Sequence, residues 1–283
     1  MSKRKTDVSR YTIKVVIYVV CIILSILSIL PFWIMLMNAT RGTFEIQQNA
    51  ISLIPGGKLL DNFAILAGKT FDPIKGFFNS FIISAGATIA TVYFSALTAY
   101  ALVAYDWRMR KPFFTFIMAV LMIPAQVSGI GFYQFMYRIH WTNSFLPLIL
   151  PAIAAPATVF FMRQYLLATL SMDVVNSSRI DGAGEFYTFN AIIMPIAKPA
   201  IATQAIFSFV GSWNNFFMPL ILLTDNSKYT MPIMVSLLRG DIYKTEFGSI
   251  YLALSLTVLP LFVIYFLLSK YIIAGVALGS IKE

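Results

Sequence analysis

Residues 177–200 read SSRIDGAGEFYTFNAIIMPIAKPA, with charges at Arg179, Asp181, Glu185 and Lys198, glycines at 182 and 184, and prolines at 195 and 199. Long apolar runs flank this stretch on both sides. A segment this polar does not cross a bilayer, because each charge left in hydrocarbon costs several kcal/mol, about 2.5–3.5 on insertion scales. The runs at 145–167 and 199–223 are therefore separate spans, and the stretch between them lies on one membrane face.

The whole chain fits that reading. It has 283 residues, 59% of them hydrophobic and only 12% charged, with a net charge of +9 and a mean hydropathy of +0.79. Soluble domains average about 45–50% apolar and 25% charged. Six runs are long enough to span: 11–38, 78–105, 113–137, 145–167, 199–223 and 248–269. No period-two alternation suggests a barrel. The expected fold is an all-α integral membrane protein, one domain over 1–283, with six transmembrane helices. The basic start at Lys3, Arg4 and Lys5 leads into a run too long for a cleaved signal and without a small-residue cleavage site, so an uncleaved anchor is expected.

Basic residues set the orientation. With the N-terminus inside, 13 of the 21 Lys and Arg fall on the inner side and eight outside. The short turn WRMRK at 107–111 is the strongest local vote. Both termini and the 177–200 stretch are expected in the cytoplasm of a bacterial cell, with the chain in its inner membrane. The outer loops, 41–75 and 225–246, carry mixed charge, Asn62, Tyr229 and a PGG turn at 55–57.

Several function classes lose their equipment. Cys21 is the only cysteine and His140 the only histidine, so no Cys/His metal site is expected. There is no phosphate-binding G-x-x-x-x-G-K-[ST], no H-E-x-x-H and no G-x-S-x-G. No catalytic residue is expected, and if ATP powers the protein another chain binds it. An ion-coupled carrier needs ionisable groups or a broken helix at mid-membrane, and no carboxylate lies mid-span. A membrane-embedded enzyme, such as a lipid-linked glycosyltransferase, would have to draw on Asp106, Asp173, Asp181 and Glu185.

Uncharged polar groups do occur in the spans. Gln126, Tyr133 and Gln134 follow Pro124 in the third, and Trp213, Asn214, Asn215 and Phe217 lie in the fifth. Such groups face protein or water rather than lipid. Paired amides beside aromatic faces suit a polyol, so these seven residues are the candidate substrate pathway; interhelical packing is the competing reading.

Within the polar stretch, Ser171 is placed to cap a short helix carrying Asp173 in its first turn. Gly182 permits the left-handed turn that ends it. Glu185 opens a second helix in which Phe186, Phe189 and Ile193 recur at helical spacing, and Pro195 and Pro199 break that helix. Two short helices with an apolar stripe fit a groove on a cytoplasmic partner, or rest on lipid headgroups.

FMRQYL at 161–166, RIDGAGEF at 179–186 and MPIAKPA at 194–200 resemble the cytoplasmic loop of binding-protein-dependent ABC importer permeases. In particular they look like the shorter membrane subunit of maltose-transporter-type sugar permeases. The family pattern, E-A-A-x-x-D-G-A and then I-x-L-P-x-x-x-P, is met by Asp181, Gly182, Ala183, Pro195 and Pro199. Asn176, Ser177 and Ser178 replace its Glu-Ala-Ala, and Met194 its Leu. FFNSFIIS at 77–84, SWNNFFMPL at 212–220 and IIAGVALGSIK at 272–282 add to the likeness. The resemblance implies a coupling helix pair over about 171–195 between spans four and five, with 174–189 docking on an ATPase. Asn176, Ser177, Ser178, Arg179, Asp181, Gly182, Ala183, Glu185, Phe186, Phe189 and Pro195 are its implied contact residues. It also implies a second homologous permease, two cytoplasmic ATPase subunits holding ATP and Mg, an extracytoplasmic solute-binding protein and a carbohydrate substrate. The outer loops are then expected to meet the binding protein.

Overall fold

A run of twenty apolar residues in hydrocarbon leaves the backbone nothing to hydrogen-bond but itself, and it coils. The computed structural model describes residues 2–67, 71–238 and 245–279, without the side chains at 2–12, 125–127, 268 and 270–279. Among the described residues there are helices and turns and no strand.

In chain order the helices are α1 (Ser2–Ala39), α2 (Thr43–Gln48), α3 (Leu59–Ala67), α4 (Pro73–Ala104), α5 (Arg110–Val120), α6 (Ala125–Arg138) and α7 (Leu146–Ile149). A 3-10 turn (Leu150–Ile153) leads to α8 (Pro156–Thr169), α9 (Met172–Ile180) and α10 (Glu185–Tyr187). A π-helical turn (Thr188–Ile193) then precedes α11 (Met194–Ile196), α12 (Lys198–Trp213), α13 (Phe217–Leu222), α14 (Met231–Leu238) and α15 (Phe247–Gly279).

Four segments are long and apolar enough to cross a membrane: Ile13–Ala39, Pro73–Ala104, Leu146–Thr169 and Phe247–Leu267. A fifth candidate is the pair Glu185–Ile196 and Lys198–Trp213, bent by 80°. The runs expected at 113–137 and 199–223 are each broken. Pro124 caps α6 in extended geometry, since its ring lacks an N–H and disfavours helix at Ile123. Pro219 would clash with the carbonyl of Asn215 in a continuous helix, and the chain opens at 214–216 before α13. Pro195 acts more gently: the π turn just before it absorbs the missing hydrogen bond.

The chain divides into two compact units. In the first, Met1–Phe71 with Val235–Val258, polar side chains knit the turn after α1. Arg41 donates to Asn38 Oδ1, to the Asn49 carbonyl and to the Glu45 carbonyl at 2.7–3.0 Å. Asn62, expected on an open loop, is instead buried. Its amide donates to the carbonyls of Ala39 and Arg41, both at 2.9 Å. Gly248 packs so close that a Cβ there would lie 2.4 Å from the Arg41 carbonyl oxygen.

The second unit, Asp72–Met234 with Leu259–Glu283, is built on α4, which packs against α8 and α12. Ser80, Ser84, Ala87, Thr91 and Ser95 form a buried stripe of small residues along it. Small side chains let backbones approach closely where no water drives association. Towards its C-terminal end, Ala96, Ala99 and Tyr100 join Met162, Leu166, Val175, Phe189 and Ile193 in one apolar cluster. That cluster seats the polar stretch.

Candidate functional site

The loop after α8 forms as its residues dictate. The Ser171 hydroxyl accepts from the Asp173 N–H at 3.2 Å and caps α9. At the other end Gly182 adopts φ 78°. The Gly182 N–H donates to the Arg179 carbonyl and the Ala183 N–H to the Ser178 carbonyl. This pair of bonds closes a helix through a left-handed residue. Gly184 then caps α10, with Glu185 in its first turn.

The bend sorts the expected contact residues into two sets. Asn176, Ser177, Asp181, Glu185, Phe186 and Pro195 are exposed, and Arg179 and Ala183 partly so. Ile180, Phe186 and Tyr187, before and after Gly182 in sequence, are 86%, 74% and 64% exposed and give the bend an apolar cap. Phe189 and Ser178 turn the other way. Phe189 is 1% exposed, its ring 5.6 Å from that of Tyr93 and 5.8 Å from that of Tyr100. Ser178 lies 3.2 Å from the buried Thr188 hydroxyl and donates to the Val175 carbonyl. Both therefore seat the loop on its own chain.

A polar lock holds the bend. Arg179 Nε donates to Glu185 Oε1 at 2.7 Å. The hydroxyls of Tyr100 and Tyr105 both donate to Glu185 Oε2, and the Arg179 guanidinium lies 5.2 Å from the Tyr105 ring centre. The Arg179 bond, then that of Tyr105, holds the Glu185 carboxyl below the usual carboxylate range; the same carboxylate raises Arg179. Tyr93 meets Asn190 at 3.3 Å, and Asn190 caps the Phe186 carbonyl. Sequence reading missed Tyr93, Tyr100 and Tyr105. Their signal was a tyrosine recurring near one end of α4, read there only as span.

The second candidate region is the break after α12. Trp213 is 1% exposed, its ring 5.6 Å from Phe209 and 5.7 Å from Phe77. It is a packing residue of the break rather than an open wall. Asn214 and Phe217 are exposed and Asn215 partly so; Asn215 Oδ1 accepts from the Met218 N–H at 3.4 Å. A Cβ on Gly129 would lie 3.0 Å from Met218 Cε and 3.6 Å from the Phe217 ring. This brings α6 against α13 one turn before Tyr133 and Gln134. Gln134 is exposed and Tyr133 half-buried against Tyr137. The Gln126 side chain lies outside the described residues.

At the Pro73 end of α4, two loops are tied together. Asn143, at φ 55°, accepts through Oδ1 from the Thr224 and Asp225 N–H groups, and its carbonyl accepts from Lys228 at 2.6 Å. Asn79 donates to the carbonyls of Ser227 and Tyr229. The Asp225 carboxyl, held low by the Ser227 N–H, caps the turn at Asn226–Lys228. Among the described residues no cluster of three His, Cys, Asp or Glu is placed to hold a metal.

Comparison with known proteins adds identity to this geometry. Residues 92–277 match the family model described as binding-protein-dependent transport system inner membrane component. An arabinooligosaccharides transport system permease of Halalkalibacterium halodurans is 32% identical over 261 residues, covering 92% of this chain and 93% of that one. A trehalose/maltose transport system permease of Thermococcus litoralis is 27% identical, over 95% and 97%. The crystal structure of a bacterial ABC transporter that imports the acidic polysaccharide alginate contains a chain of the same fold. Its TM-score is 0.79 at 19% identity, covering 93% of this chain and 98% of that one.

Proposed function

This chain belongs to the binding-protein-dependent transport system inner membrane components and is a permease subunit of an ABC importer, not an enzyme; from that premise we propose its substrate and its means of coupling. The substrate class is a carbohydrate, most simply an oligosaccharide. Relatives named for arabinooligosaccharides and for trehalose and maltose align over more than nine-tenths of both chains. The ion-coupled carrier and the glycosyltransferase have no support.

The chain crosses the membrane six times, with both termini cytoplasmic, counting the helix pair broken at Pro124 and the run from Lys198 to α13 as spans. It pairs with a second homologous permease and forms half of the pathway. An extracytoplasmic binding protein delivers sugar to the loops tied by Asn143 and Asn79. Two cytoplasmic ATPase subunits hold ATP and Mg. Nucleotide-driven closure of those subunits moves the loop at 171–195, and the spans alternate between inward- and outward-facing. Tyr133, Gln134, Asn214, Asn215 and Phe217, with Gln126, supply polar and aromatic wall to the cavity.

The observation that carries the coupling assignment is the exposed cap of Ile180, Phe186 and Tyr187, held rigid by the lock on Glu185. Exposed aromatics on a rigid mount are the usual anchors of an interface. A lever must also resist bending, and the lock joins the cap to α4. The test is co-purification of an ATPase with the chain carrying Phe186→Ala, together with sugar uptake into vesicles. Loss of both supports the assignment; full retention of both removes it.

A further inference from the structure

The second unit has one more built feature, away from both regions above. Where α4 ends, the turn 105–109 and the start of α5 face α8 across a cleft of about 870 Å³. Arg108, Arg110, Lys111 and Arg163 line it, against a single acid, Asp106. Asp106 forms no ion pair with any of them, so the cleft holds four cations against one acid that none of them contacts directly. Like charges gathered this closely repel, and a bound anion relieves them.

Arg163 is the most telling of the four. Its guanidinium carbon lies 4.2 Å from the centre of the Phe114 ring, and its Nε is shielded from solvent yet makes no hydrogen bond. A shielded donor without an acceptor is costly. With its carbon over the ring, the guanidinium still presents terminal N–H donors, a fork matched to phosphate oxygens. The cleft also begins within a few residues of Ala104, the last residue of a membrane-spanning segment. That is the depth of lipid phosphates. Met109 and Phe116, beside it, are 57% and 64% exposed, and Trp107 marks the interface as tryptophans do.

We propose that this cleft binds the phosphate of an anionic phospholipid headgroup, with Arg163 offering its terminal guanidinium nitrogens and Arg108, Arg110 and Lys111 forming the rim. A free phosphate shares the chemistry, but not the adjacent apolar surface for acyl chains.

The full chain, purified with whatever subunits accompany it, is placed in nanodiscs of phosphatidylcholine with or without phosphatidylglycerol. Native mass spectrometry then counts retained lipid. Phosphatidylglycerol is expected to be retained over phosphatidylcholine. Arg163→Gln weakens retention about fivefold, and Arg108→Gln with Lys111→Gln about 25-fold, at roughly fivefold per cation. The second variant changes only exposed side chains, so its melting temperature should match the parent. Inorganic phosphate titrated into phosphatidylcholine discs separates the sources: binding as tight as that of the lipid overturns the lipid assignment. Equal phosphatidylglycerol retention by parent and both variants overturns the site. A photo-crosslinker at position 108 that reaches a protein subunit instead of lipid also overturns it.

Discussion

Arg179 Nε and Glu185 Oε1 meet at 2.7 Å across the bend at Gly182, so the two short helices on either side are fastened directly to each other. Tyr100 and Tyr105 fasten the same carboxylate to the end of α4. Force applied to the bend therefore reaches a membrane-spanning helix through one side chain.

Glu185→Gln keeps the shape and removes the charge. Partly exposed ion pairs contribute only about 0–1 kcal/mol, so the melting temperature should hardly move. Coupling should suffer: ATP hydrolysed per sugar imported rises, while ATPase co-purification persists. The sign of the pH effect follows from the depressed carboxyl. Its stabilisation is complete above the unfolded value near about 4.3 and is lost only as pH falls through the lower folded value. Transport stoichiometry should be flat between about pH 6 and 8, and a stoichiometry that changes in that window would show that another group controls the lock.

Gly182→Val tests the bend itself. Nothing lies within 4 Å of a Cβ at this position, so space is not the constraint; φ 78° is. A β-branched residue there costs about 1–3 kcal/mol locally, and relaxing it redirects α10. Uptake should fall severalfold with insertion unchanged, and Gly182→Asn should recover much of it. Equal defects in Val and Asn variants would point to a steric cause instead.

The all-helical membrane class, four of the six apolar runs as span-length segments, the Ser171 cap and the Gly182 turn were legible in the sequence, since apolar runs, Ser171 and Gly182 act locally. What escaped depends on contacts between distant segments. Phe186 and Phe189 differ by three positions, close to one face of a helix, yet Tyr93 and Tyr100 cover only Phe189, and spacing does not anticipate which ring a distant helix covers. Trp213 looked like cavity wall because its neighbours are amides, yet Phe77, from a segment far away in sequence, covers it. The lock on Glu185 was invisible for the same reason: Tyr100 and Tyr105 are about 80 residues away in sequence.

In the first unit, Gly248 is held to glycine by close approach. A methyl there would meet the Arg41 carbonyl oxygen at 2.4 Å and the Asn62 amide at 2.5 Å, both already committed to hydrogen bonds. Gly248→Ala should destabilise by about 1–3 kcal/mol, as overpacking does. Thermal unfolding in detergent followed by circular dichroism measures it, and an unshifted transition would contradict the packing.

For the substrate path, Asn214→Leu with Gln134→Leu removes two exposed amides without disturbing Trp213. Buried hydrogen bonds to a polyol that go unmade cost about 1–3 kcal/mol each. Uptake should fall at least tenfold while the assembled complex and its basal hydrolysis persist. Normal uptake would reassign the amides to packing and leave the partner permease holding the sugar.

The sharpest contrast is between two phenylalanines three residues apart. Phe186 is 74% exposed and Phe189 1% exposed. Phe186→Ala should leave the melting temperature within error, because its ring touches little of its own chain. It should weaken ATPase retention, since truncating an interface anchor commonly costs 2 kcal/mol or more, roughly thirtyfold in affinity. Phe189→Ala should do the reverse. It empties a site between Tyr93 and Tyr100 and costs about 3–5 kcal/mol of stability, lowering yield and melting temperature before any partner is added. Measuring both variants for thermal unfolding and for ATPase pull-down gives four values that a lever with an exposed cap and a buried root must satisfy together. If the loop rested on lipid headgroups instead, Phe186→Ala would reduce membrane association of the loop and leave the pull-down unchanged.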